Sequence, residues 1–133
     1  MEHDPRFLKG IDEFNRGLFY EAHETLEQLW LEDRGPEREF YQGIIQVAAG
    51  YFKWEQEVPR GALKLLRAGI QRIGPYRPVC LGVDVTEFLS GVEADLATVE
   101  AWCGQGGAAP ELRVPRLSLE GAPGSGSCRA SGS

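Results

Sequence analysis

Residues 40–54 read FYQGIIQVAAGYFKW, and at helical spacing their apolar side chains occupy two adjoining faces rather than one. Phe40, Ile44, Val47, Tyr51 and Trp54 form the first face, and Tyr41, Ile45, Ala48 and Phe52 form the second. A helix apolar over so much of its circumference must be covered by neighbours on several sides, so it is predicted to sit at the centre of a helical bundle. Only a narrow polar seam is left on it, holding Gln42, Gln46, Ala49 and Lys53.

The flanking segments supply those neighbours. The helix that begins with residues 19–30, FYEAHETLEQLW, puts Phe19, Ala22, Leu26, Leu29 and Trp30 on one stripe and leaves Glu21, Glu24, Thr25, Gln28 and, just beyond, Glu32 off it. Before it, Asp4 followed by Pro5 is an N-cap carboxylate with proline at the first helical position, predicting a helix to about Asn15 that Gly17 stops. The run DRGPERE closes the second helix and opens the third, which spans about Pro36 to Gln56. Pro59 starts a fourth helix that ends near Gly74, and a loop, PYRPVCLGV, follows. Asp84 and Glu87 have capping-box spacing before a fifth helix that turns Phe88, Leu89, Val92, Leu96, Val99 and Trp102 inward. Trp30 and Trp54 also fall on inward faces. The predicted fold is all-α, a compact bundle of about five helices built from helical hairpins, with an irregular C-terminal tail.

A chain of 133 residues with 42% hydrophobic content suits one domain, assigned to residues 1–103. From Gly104 the composition turns to Gly, Pro, Ala and Ser, so residues 104–133 read as a tail. Its one apolar piece, ELRVPRLSL at 111–119, is expected to lie along the domain in extended form, since Pro115 argues against a helix, and the end after Gly121 is expected to be disordered. The net charge of −6 and dispersed basic residues argue against nucleic acid as a partner. Three cysteines without a C-x-x-C pair fit a reducing compartment, and no leader or apolar run of about 18 residues points to a membrane. The expectation is a soluble, cytoplasmic protein.

The segment from His23 to Glu27 nearly spells the zinc-protease signature H-E-x-x-H, with Glu27 where the second histidine belongs. Such a site needs two imidazoles one turn apart, and the chain holds only His3 and His23. A di-iron carboxylate site needs Glu-x-x-His on each of two helices, whereas Tyr20 precedes His23 at that spacing. No metal is therefore expected, and any that bound would use His23, Glu24 and Glu27. No cofactor can be named. The plainer reading has His23 at the edge of the apolar stripe, its ring bonded to Glu27 or to a backbone carbonyl. Glu21, Glu24 and Glu27 repel mildly at successive i+3 steps, so a cation is expected to offset them: Lys53, an arginine or a metal. If the seam of the third helix faces the second, Glu21, His23, Glu24, Glu27, Gln42, Gln46 and Lys53 form a polar cluster that lines a small pocket or simply stabilises the fold; if it faces water, nothing more follows.

Together, FNRGLFYEAHETLEQLW, FYQGIIQVAAGYFKW and RGALKLL, from Phe14 to Leu66, resemble the family known as domain of unknown function 309, small prokaryotic and plastid proteins. The resemblance implies a compact all-helical fold and puts Glu21, His23, Glu24, Glu27, Trp30, Gln42 and Gln46 at the family's signature positions. It brings no activity. The family's pattern often has a histidine near the end of the third-helix segment, where this chain has Phe52 and Lys53, so an ion pair from Lys53 to Glu24 or Glu27 would replace a metal site. The leading expectation is a binding or interaction module for a small molecule or a protein. The alternative is a hydrolase or metal-dependent enzyme using His23 with Glu24 and Glu27. Self-association through surplus apolar surface on the third or fifth helix is a further expectation.

Overall fold

The computed structural model describes residues 3–119, and the expectation of disorder after Gly121 lies outside them. The helices are α1 (Pro5–Asn15), α2 (Phe19–Glu32), α3 (Arg38–Glu55), α4 (Pro59–Ile73) and α5 (Val85–Gln105). Between α4 and α5 the predicted loop folds into a 3-10 turn, Gly74–Tyr76, and a small antiparallel hairpin of β1 (Val79–Cys80) and β2 (Val83–Asp84), with Val79 opposite Asp84. The fold is all-α.

Local chemistry explains the helix starts. The Asp4 carboxylate accepts the Arg6 N–H at 2.8 Å beside Pro5, and the Asp84 carboxylate accepts the Glu87 N–H at 3.0 Å, so both orphaned helix N-termini are capped. α2 has no side-chain cap; it begins after Gly17, whose φ of 80° favours a residue without Cβ. α3 starts at Arg38, two residues after Pro36, because Asp33 accepts the Gly35 N–H at 3.1 Å and turns the chain before the helix can begin.

Consecutive helices pack as neighbours, and α3 lies between α2 and α4. The α3–α4 crossing is close enough that side chains are excluded from it. A Cβ on Gly69 would fall 2.5 Å from Val47 Cγ2 and 2.8 Å from the Gly43 carbonyl oxygen, and one on Gly43 would fall 2.4 Å from Ile73 Cγ1. At the other end of α3, aromatics from four helices interlock. Phe14 meets Phe19, Tyr51 and Phe88 edge-on with centroids 5.2, 6.0 and 5.6 Å away, and Phe19 stacks on Tyr51 at 5.3 Å.

The tryptophans are less buried than their helical positions predict. Trp54 and Trp102 meet edge to face at 5.3 Å, both half-buried at the ends of their helices, and half-buried Trp30 lies under the Arg38 guanidinium at 4.2 Å. Leu8, Leu18, Tyr20, Leu31, Val58 and Leu119 are the exposed large apolar side chains among the described residues; none belongs to α3 or α5.

Residues 111–119 run back over the bundle without helix. Buried Asp95 of α5 accepts the N–H groups of Arg113 and Val114, both at 3.0 Å, and the Tyr51 hydroxyl at 2.6 Å. Further on, Asn15 holds Leu117 by both its N–H, at 2.8 Å, and its carbonyl, at 3.1 Å. Leu117 is 1% exposed and so belongs to the core, and Leu119 bridges to Val83. Burying that leucine stabilises by about 2 kcal/mol, enough to offset part of the entropy cost of ordering the strap.

Replacing Gly69 with Ala should destabilise the protein by about 1–3 kcal/mol despite alanine's better helix propensity, because the new methyl must displace Val47 and the Gly43 carbonyl; urea unfolding measures it. Burial, then the Asp95 bond, pushes the Tyr51 phenol far above its ordinary value, and burial pushes Tyr41 up to about 12. With folded values raised, the stability they carry is complete below about pH 10 and is lost as pH rises beyond it. Ultraviolet titration should find Tyr41 and Tyr51 un-ionised near pH 11 until the fold opens.

Candidate functional site

The outward face of α2 is assembled by helical periodicity. Phe19, Ala22, Thr25, Leu26 and Leu29 are buried, His23 and Glu27 are half-buried beside them, and Tyr20, Glu21 and Glu24 are exposed. Tyr20 and Glu24, one turn apart, are joined by a hydrogen bond in which the phenol donates to Glu24 Oε2 at 2.9 Å. That bond holds the Tyr20 phenol above its ordinary pKa. The Tyr20 ring lies 5.4 Å from Phe52 of α3 and 6.0 Å from His23, both tilted, which brings the start of α2 against the end of α3.

A cleft of about 440 Å³ opens at that junction, lined by Leu18, Tyr20, Glu21, Phe52 and Glu55 among others. Partial burial, and then the charge of Glu21, raises the Glu55 carboxyl above the usual carboxylate range. Glu21 lies in the first turn of α2, where the helix dipole favours an anion.

The other candidates are placed differently. Gln46 accepts the Arg72 Nε–H at 3.0 Å, and Arg72 also donates to Glu39, so this part of the seam is turned toward α4. Lys53 runs along Gly61 of α4, its Cγ and Cδ both 3.5 Å from where a Cβ on that glycine would be. Gln42 is half-buried and, among the described residues, makes no side-chain hydrogen bond. No hydrogen bond joins His23 to Glu27, and no ion pair joins Lys53 to Glu24 or Glu27. Among the described residues no group of three or more His, Cys, Asp or Glu is arranged to hold a metal ion. The structure thus groups Tyr20, His23 and Glu24 with Phe52, and Glu21 with Glu55, while Gln46 and Lys53 engage α4.

Tyr20, Phe52 and Glu55 were not among the candidate site residues that the sequence pattern offered. The i,i+4 spacing of Tyr20 and Glu24 is a readable signal; the approach of Phe52 and Glu55 depends on how α2 and α3 cross. Chemically, carboxylates around exposed ring faces suit a cation: charge at the rim and quadrupole attraction at the rings act together. His23 has no hydrogen-bonded side chain to orient its imidazole.

No curated protein matches the chain. No described helix is long and apolar enough to cross a membrane. The model of the family described as Domain of unknown function (DUF309) matches residues 7–65, so the family resemblance holds from α1 through α2 and α3 to the middle of α4.

Proposed function

We propose that the protein is a binding module that receives a cationic group, carried on an apolar stem, at the outward face of α2 and its cleft against α3. In this reading Glu21, Glu24, Glu27 and Glu55 supply charge. Tyr20, Phe52 and His23 supply the ring surfaces on which the stem rests. Gln42, Gln46 and Lys53 do not line the cleft and take no part in this reading.

One grouping supports the proposal. Among the described residues Glu21, Glu24, Glu27 and Glu55 have no Lys or Arg within 4.0 Å; Asp33, Glu37, Glu57, Asp84, Glu87, Asp95 and Glu111 share that state, but Glu21, Glu24 and Glu27 all act on the Tyr20 phenol and Glu21 acts on the Glu55 carboxyl, so these four acids are gathered within reach of one another. Their mutual repulsion is left for a partner to relieve. The enzymatic alternative built on His23, Glu24 and Glu27 gains no support, since Glu24 is bonded to Tyr20 rather than to His23. Cys80 and Cys103, unbridged among the described residues, support a cytoplasmic setting. Self-association through α3 or α5 has no exposed large apolar side chain on either helix to support it.

Binding of a fluorescent peptide of alternating Lys and Leu to the full chain, followed by anisotropy, tests the proposal. At about 0.5 kcal/mol per exposed charge pair, the Glu21→Gln, Glu24→Gln, Glu55→Gln triple variant should bind about ten-fold more weakly. Equal binding by the triple variant, or by the wild type to a Glu/Leu peptide, would sink it.

A further inference from the structure

A second cavity, of about 370 Å³, shares Gly17 and Phe19 with the α2 cleft but is walled on its far side by the strap. Its charge is opposite. Arg16, Arg113 and Arg116 line it, no carboxylate does, and Phe14, Phe19 and Pro115 give it an apolar lining. Arg113 and Arg116 have no carboxylate within 4.0 Å among the described residues, and Arg16 has only an exposed pair with Asp12 at 3.4 Å. In a chain of net charge −6 with 20 acidic residues, three arginines among its lining residues set this cavity apart from the α2 cleft, which Glu21 and Glu55 line.

The strap is held in a way that fixes two of them. Asp95 takes the main-chain N–H groups of Arg113 and Val114, and Asn15 takes Leu117, so Arg113 and Arg116 are pinned from both sides. Val114 has a φ of 51°, a conformation that β-branched residues rarely adopt, and Pro115 lies against Gly91, where a Cβ would fall 2.5 Å from the proline ring. Both devices constrain backbone, and among the described residues the Arg113 and Arg116 side chains have no carboxylate partner. Guanidinium groups match carboxylate and phosphate oxygens through paired N–H donors, and an adjoining apolar wall strengthens such bonds by excluding water.

We infer that this cavity is a binding site for a small oxyanion, a carboxylate or phosphate, attached to a compact apolar or aromatic body. The volume is at the lower end of small-molecule sites, which fits one ring or a short chain beside the anionic group. The site is complete only with the strap in place, so an occupant also ties the strap to α1. The inference is independent of the cationic partner proposed for α2, because the two cavities carry opposite charges on different residues.

Calorimetric titration of the full chain with phenyl phosphate, benzoate and inorganic phosphate tests it. Saturable binding of phenyl phosphate or benzoate is expected, with inorganic phosphate at least about ten-fold weaker. The Arg113→Gln, Arg116→Gln double variant and, separately, Arg16→Gln should each weaken binding about ten-fold, while Lys64→Gln, which removes an exposed cation of α4 that lines neither cavity, leaves it unchanged. Bound ligand should also slow tryptic cleavage after Arg113 and Arg116. No saturation, unchanged affinity in both arginine variants, or inorganic phosphate binding as tightly as phenyl phosphate would overturn the inference, the last meaning an adventitious ion only.

Discussion

Asp95 is 3% exposed, and a carboxylate taken that far from water is tolerated only when its oxygens are occupied. Here the Tyr51 hydroxyl comes from α3 and two successive main-chain N–H groups come from the strap, so one buried group joins the central helix, α5 and the chain beyond α5. Tyr51 in turn stacks on Phe19, which lines both cavities. The walls of the two proposed sites therefore rest, through two rings, on a hydrogen-bonded carboxylate in the core. Removing the Asp95 carboxylate would leave the Tyr51 hydroxyl and two main-chain N–H groups without their acceptor, which costs more than the bonds themselves contribute.

Much of the architecture is legible from neighbours in sequence. Asp4 with Pro5 and Asp84 with Glu87 act within one turn, and the two apolar faces of α3 reflect periodicity alone. The glycines of α3, Gly43 and Gly50, also carried a usable signal, since a helix that otherwise buries large side chains has small residues one turn-pair apart where another helix comes close. Asp95 is different: along α5 it reads as one more acid among Glu93 and Glu100, and the N–H groups that bury it lie 18 and 19 residues further on. Its meaning depends on a return of the chain that no local pattern specifies.

The candidate site divides in the same way. Glu21, His23, Glu24 and Glu27 are one helix face and were legible as such. The direction of the α3 seam was not, because Gln46 and Lys53 could have turned to α2, to water or to α4; Arg72, 26 residues away, draws Gln46 to α4. Phe52 and Glu55 join the α2 face through the antiparallel meeting of helix ends. Arg16 and Arg116 are separated by most of the chain, so dispersed basic residues in the sequence become neighbours around one cavity.

The α2 face and the strap cavity thus give opposite charges to the two sides of the Gly17 turn, and the central claim is that the acidic side recognises a cation on an apolar stem. Amide chemical-shift mapping with a Lys/Leu peptide tests it most directly. The account predicts saturable shifts concentrated at residues 17–27 and 52–55; shifts confined to α5 or the strap, or spread weakly over the whole surface, would contradict it.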